Sequence, residues 1–235
     1  MEAPKPVLGQ VHDYPGCLIV VEGTDGSGKS TQLQLLQNWL ELEGFGTCFT
    51  EWNSSRLVSQ VIKKGKKSGR LTPTTFCLLH ATDFADRHEG IIRPALQAGM
   101  VVLADRYMYT ALARDVARGA DRDWVRNTYT FALIPDAAFY FRVDVETSLL
   151  RISATRAPKF YEAGMDLGLA DDVYQSYRIF QSHVIEEYDS MVDELGLRVI
   201  DGTRPIHDQQ SEFRAQVRDV VAARFGPEVI SEMRA

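Results

Sequence analysis

Between the apolar run CLIVVEG and the amphipathic segment STQLQLLQNWLELEG stands GTDGSGKS, Gly23 to Ser30. Its spacing is G-x-x-x-x-G-K-[ST]. This constrains the fold more than any other feature of the chain, because such a loop needs a strand feeding it and a helix leaving it. Glycines let the backbone curl until several amides point inward, so Gly23, Asp25, Gly26, Ser27 and Gly28 are read as a phosphate cradle. The helix that follows turns its positive end to the same anion. Lys29 is expected to reach the β and γ phosphates of a nucleoside triphosphate and the Ser30 hydroxyl to ligate Mg²⁺, with Thr31 completing the loop.

The rest of the chain keeps the same alternation. GTCFTEW, MVVLAD, DAAFYFRVD and LRVIDG read as strands. SRLVSQVIKKGKK, the stretch from about Thr74 to His88, VETSLLRISATR, YQSYRIFQSHVIEEYDSMVDELG and IHDQQSEFRAQVRDVVAARFG read as helices. Strands alternating with helices imply an α/β fold of the P-loop NTPase kind: a five-stranded parallel sheet with helices on both faces and an inserted flap. The expected organisation is an N-terminal extension at 1–16, one P-loop domain at 17–226 with a lid at about 151–176, and a C-terminal tail at 227–235. The basic tract IKKGKKSGR, Ile62 to Arg70, reads as a solvated loop between helices, with phosphate binding as the alternative.

Charge and composition exclude several classes. The net charge of −6 is spread along the chain, which gives no electrostatic reason to expect nucleic acid or an acidic membrane as partner; an anionic substrate needs a local basic pocket instead. No apolar run approaches the roughly 20 residues of a membrane span. Cys17, Cys48 and Cys77 lie far apart with no CxxC pair, as expected of thiols in a reducing cytoplasm. A guanine-reading NKxD is missing, which argues against a GTP switch and leaves small kinases.

In VVLADRY, Asp105 and Arg106 fall just past the carboxyl end of a buried strand, where open α/β sheets bind ligands. Asp105 is placed to hold a metal-bound water, and Arg106 to fork onto a phosphate. With these residues in place, VVEGTDGSGKSTQLQLL, IIRPALQAGMVVLADRY, IPDAAFYFRVDVETSLLRI and VIDGTR together resemble, in order and spacing, the thymidylate kinases, which move the γ-phosphoryl group of ATP to dTMP. The likeness runs from about Cys17 to Arg204. It implies that Asp25 accepts a hydrogen bond from the acceptor's sugar hydroxyl and that Arg106 holds the acceptor phosphate. It further implies that flap residues Arg151, Arg156 and Lys159 clamp the transferring group, with Lys29 and Arg106 completing the catalytic set. The loop Asp201 to Arg204 would lie against the adenine. Mg²⁺ as cofactor, ATP as co-substrate and a homodimer are carried by the same resemblance.

Three places depart from the family pattern. Where thymidylate kinases have an Arg-Glu-Pro turn, the chain reads FTEWNSS, leaving Glu51 as a metal or substrate contact. In the acceptor helix an ungapped match gives His80 and Phe84, whereas a gapped one makes Phe84 the base stacker and Arg87 the phosphate ligand; all three lie on one helix face. Finally, Arg114 and Asp115 replace a Tyr-Gln pair at the base end of the acceptor site. A buried charge needs a partner. Either these two pair with each other or they read a more polar acceptor, so dTMP is the default acceptor and a different nucleotide, nucleoside or phosphorylated metabolite the alternative.

Overall fold

The computed structural model describes residues 8–69, 71–226 and 228. Five strands form one parallel sheet: β1 (Cys17–Glu22), β2 (Thr47–Glu51), β3 (Val101–Asp105), β4 (Ala137–Arg142) and β5 (Arg198–Asp201), in the order β2-β3-β1-β4-β5. Nine α-helices are found among the described residues: α1 (Lys29–Leu42), α2 (Ser59–Ser68), α3 (Pro73–Arg87), α4 (Arg93–Gln97), α5 (Met108–Val116), α6 (Arg122–Thr128), α7 (Val145–Ser153), α8 (Val173–Leu195) and α9 (Ile206–Phe225). The parallel sheet expected from the sequence is therefore present.

Alternation along the central strands sorts the core into two layers. Leu18, Val20, Val102, Ala104, Ala138 and Tyr140 point to one face, where Phe84, Leu112, Phe180, Val184 and Tyr188 of α3, α5 and α8 cover them. Cys17, Ile19, Val21, Val101, Leu103, Phe139 and Phe141 point to the other, against Leu33, Leu36, Trp39 and Leu40 of α1 and Phe213, Val217 and Val221 of α9. Burial on both faces explains why β1 and β3 read as unbroken apolar runs.

Two features were not legible beforehand. Helices α5 and α6 occupy TALARD and the stretch after it, for which the sequence was read for site residues but not for secondary structure. The acceptor helix α3 also continues through a π-helical turn, His88–Ile92, into α4. From Ile62 to Ser68 the basic tract is helical rather than a loop, as the helical reading of SRLVSQVIKKGKK had it, since α2 runs through it; Arg70 lies outside the described residues. Of the segment 1–16, residues 8–16 pack on the domain: Gln10 donates its backbone N–H to Ala132 O (2.7 Å) and accepts from Ile134 N (2.8 Å). The tail at 227–235, apart from residue 228, lies outside the described residues, as do residues 1–7.

Strand order and register position the site. The chain crosses from β1 to one side for β2 and β3 and to the other for β4, so a crevice opens at the carboxyl end of β1. Pairing of Val21 with Asp105 and of Glu51 with Asp105 sets the ends of three adjacent strands at one level below it.

Candidate active site

The loop after β1 is shaped by its glycines. Gly23 sits at φ 143°, and a Cβ there would come within 2.7 Å of Phe141 O; at Gly26, φ 80°, a Cβ would come within 2.8 Å of Ser148 O. Gly28, the residue that caps α1, is at φ 91°, and a Cβ there would meet nothing within 4 Å. The first two glycines are thus required by close packing, the third by its conformation on the open side of the loop. Ser148 Oγ donates to Asp25 O (2.6 Å) and Arg151 donates to Gly26 O (3.3 Å), tying the loop to α7. Lys29 points its Nζ toward Thr24 O (3.4 Å), and burial, then Arg106, push its ammonium below its usual range.

Ser30 donates its hydroxyl to Asp105 Oδ2 (2.7 Å), while Asp105 Oδ1 is buried with no hydrogen-bond partner. A hydroxyl and a half-satisfied carboxylate beside a phosphate cradle suit Mg²⁺, a hard cation that keeps water and phosphate oxygens as ligands. Among the described residues no group of three His, Cys, Asp or Glu side chains offers a closed cage, so a cation here would depend on its nucleotide. Beside the cradle a smaller groove is lined by Gly28, Thr31, Gln32, Arg151, Arg204 and Ile206. Gly202 of the Asp201–Arg204 loop packs against Ser27 O and donates its N–H to Arg142 O (2.9 Å). The sequence-expected donor residues are therefore all brought together.

On the other side of Asp25 lies a cavity of about 550 Å³. Cations dominate its walls: Lys66, Lys67, Arg106, Arg114, Arg118, Arg156 and Lys159, against Asp25, Glu51 and Glu162. This is the local basic pocket that an acidic chain needs to bind an anion. Arg106 follows β3 in the left-handed region, φ 73°, with its N–H on Val21 O (2.9 Å), a conformation costing about 1–2 kcal/mol for a non-glycine residue. Glu22 holds this turn from below: its buried carboxylate accepts from Tyr107 N (2.7 Å), Thr110 Oγ1 (2.6 Å) and Tyr188 OH (2.8 Å). So placed, Arg106 donates to Asp25 Oδ1 (2.7 Å) and Arg114 to Oδ2 (2.5 Å). Burial alone would raise the Asp25 carboxyl, but Arg114 and Arg106 hold it well below the usual carboxylate range. Arg156 makes a two-pronged pair with Glu162 (2.7 and 3.0 Å) at the lid side of the cavity.

Several expectations need correction. Arg114 and Asp115 neither pair with each other nor jointly face the cavity: adjacent positions on α5 point apart, so Arg114 goes to Asp25 and Asp115 turns into the core. Both Asp115 oxygens lack a conventional partner, and burial, opposed by Arg118, pushes its carboxyl up to about 6. Phe84 is fully buried among Trp52, Tyr107, Tyr129 and Phe131, and Arg87 is fully buried beside Asp83 and Thr50. Neither lines the cavity. Of α3 it is Phe76, two turns earlier, that lines the cavity, together with Trp52, Phe160 and Tyr161 from other segments, because the helix approaches the cleft with its first half and the sheet with its second. Arg118, four residues after Arg114, sits between the rings of Phe76 and Phe180 (4.6 and 4.5 Å) and donates to Asp166 (3.2 Å) and to Tyr161 O. Lys66, from the tract read as a solvated loop, lies 5.2 Å from the Phe76 ring, its ammonium pushed down to about 8 by burial and by Arg114 and Arg118. The i, i+4 spacing from Arg114 to Arg118 was the available signal for the latter; nothing local marked Phe76, whereas Lys66 lies in the basic tract for which phosphate binding was the alternative reading.

Two anion sites meet at Asp25, one made of backbone and one of side chains. The sequence model of the family described as thymidylate kinase matches residues 21–213. The chain belongs to the thymidylate kinase family. It is 46% identical over 201 residues to the probable thymidylate kinase 2 of Saccharolobus solfataricus, a match covering 85% of this chain and 94% of that protein. It is 34% identical over 158 residues to the probable thymidylate kinase of Thermococcus kodakarensis (63% and 77% covered) and 31% identical over 185 residues to the thymidylate kinase of Brachyspira hyodysenteriae (77% and 91%).

Proposed function

We propose that this protein phosphorylates dTMP with ATP, giving dTDP and ADP. The observation that carries the reading is the basic, aromatic-lined cavity opening beside a P-loop, with Asp25 at the junction, in a chain that resembles thymidylate kinases over most of its length. No feature of the relatives favours another acceptor.

In this reading the loop Gly23–Ser30 and Lys29 bind the β and γ phosphates, while Arg151, expected from the resemblance to clamp the transferring group but placed with Gly28, Thr31 and Arg204 in the smaller groove, flanks the nucleoside side of the donor with Arg204. Arg106 binds the acceptor phosphate, Asp25 orients Arg106 and Arg114 and faces the sugar, and Phe76 offers its ring to the base. The nucleophile is a dTMP phosphate oxygen, already anionic, so no general base is required; its bond to the γ-phosphorus forms as the bond to the β–γ bridging oxygen breaks. Catalysis then rests on alignment and on charge placed around the transferring group. Ser30 and Asp105 would hold Mg²⁺, which when bound neutralises phosphate charge. Arg156, poised on Glu162, and Lys159 are the lid cations on the acceptor cavity, and lid closure keeps water from competing as acceptor. A cytoplasmic setting suits the three unpaired thiols.

The test is purified protein with Mg-ATP and a panel of nucleoside monophosphates, nucleosides and sugar phosphates, following ADP and the phosphorylated product. Conversion of dTMP to dTDP, one ADP per dTDP, is the expected outcome. Failure of dTMP to react would sink the proposal, whether or not another acceptor of the panel is turned over.

A further inference from the structure

Arg87 stands where a sequence match would place a phosphate ligand, yet it is buried away from the cavity. Its surroundings assign it other work. The wall of the acceptor cavity opposite α5 is the end of β2 and the loop beyond, where Glu51, Trp52 and Asn53 line the space. Asn53 is in the left-handed region, φ 65°, which non-glycine residues seldom adopt without support. That support comes from α3. Asp83, with no exposed surface, accepts the Asn53 N–H on Oδ2 (3.0 Å) and the Ser55 N–H on Oδ1 (2.9 Å). Arg87 NH1 lies 3.5 Å from Asp83 Oδ2, and Arg87 Nε donates to Thr50 Oγ1 (3.0 Å) on β2 itself. Asp86 adds a bond from the Ser55 hydroxyl (2.6 Å), and Trp52 N–H reaches Asp105 O (3.1 Å).

A buried Asp–Arg pair is a weak device for stability, since both groups lose their water. It is an effective device for fixing geometry, because a buried carboxylate must keep its donors. Here those donors are two amides of one strained turn.

We propose that Asp83 and Arg87 are positioning residues for the acceptor: together they hold Trp52 and Asn53 in the left-handed turn that forms one wall of its cavity, without touching the acceptor. The inference rests on the acceptor reading of the cavity. Asp83→Asn, which keeps the shape but exchanges one acceptor oxygen for a donor, raises the KM for dTMP about tenfold, while the KM for ATP and the kcat at saturation stay within about twofold. Asn53→Gly supplies a residue that takes φ 65° freely. Added to Asp83→Asn, it recovers threefold or more of the lost dTMP affinity. Arg87→Lys, expected to raise the KM for dTMP about threefold, carries the same comparison if Asp83→Asn fails to fold.

A purely structural pair would lower the melting temperature with both KM values unmoved, and that result overturns the proposal. So does a loss of dTMP affinity in Arg87→Lys as deep as in Arg87→Met with no recovery from Asn53→Gly, which would make Arg87 a direct ligand. Absence of dTMP turnover in the wild type contradicts the function itself. Normal wild-type turnover with an unchanged dTMP KM in both Asp83→Asn and Arg87→Lys contradicts only the positioning.

Discussion

The two halves of the cleft are built differently. In the proposed reading the donor half comes from one short stretch, Gly23 to Thr31, and binds with backbone amides and a helix end, so that its shape follows from glycine positions five residues apart at most. The acceptor half is assembled from side chains on β2, α2, α3, α5 and the lid, and its charge is seven cations against three carboxylates. A contiguous loop carries its geometry in its own sequence; an assembled cavity exists only once the sheet has brought distant segments together.

That difference decides what was legible. All five strands, the parallel sheet and the cradle could be read, because burial on both faces and glycine spacing are local signals. Phe84 and Arg87 were misplaced because one helix face does not fix which end of the helix meets the cleft; Phe76 does, two turns away. Arg114 and Asp115 looked like one change at the base end, but neighbours on a helix diverge, and they became a cavity cation and a core acid. Lys66 lay in a lysine-rich tract read first as a solvated loop and only alternatively as phosphate-binding; helix α2 turns it inward over Phe76.

The largest effect should fall on the donor half. Lys29→Ala is expected to cut kcat by roughly 10²–10³-fold with every acceptor, the size of losing one preorganised charge donor, without loss of thermal stability. Turnover within tenfold of wild type would contradict the cradle assignment. On the acceptor half, Arg114→Met removes a cation from the cavity wall and should raise the dTMP KM by tenfold or more with the ATP KM nearly constant, the size of losing one hydrogen bond to a charged group, about 1.5–3 kcal/mol. Equal changes in both constants would blur the distinction between halves.

Asp115 probes the core behind the cavity. Its folded carboxyl binds its proton up to about pH 6, above the ordinary 3.9 or so of the unfolded chain, so stability is greatest below that ordinary value and is lost as pH rises through about 6. Asp115→Asn should erase this slope and raise the melting temperature at pH 7, measured by thermal scans from pH 4 to 8; a lower melting temperature across that range would show that the ionised acid is stabilising.

The smallest effect concerns Lys66. With its ammonium pushed down to about 8, it is charged below that pH and increasingly neutral above it. Wild-type affinity for dTMP should weaken by a few-fold as pH rises through about 8, and Lys66→Ala should flatten that part of the profile. An unchanged profile would remove Lys66 from the acceptor half.

The separation of the two halves is tested most directly by calorimetric titration of dTMP into wild type, Arg114→Met and Arg151→Ala with no ATP present. Wild type and Arg151→Ala should bind dTMP with the same affinity within about twofold, and Arg114→Met should bind at least tenfold more weakly. If Arg151→Ala loses as much dTMP affinity as Arg114→Met, the basic cavity beyond Asp25 is not a separate acceptor site.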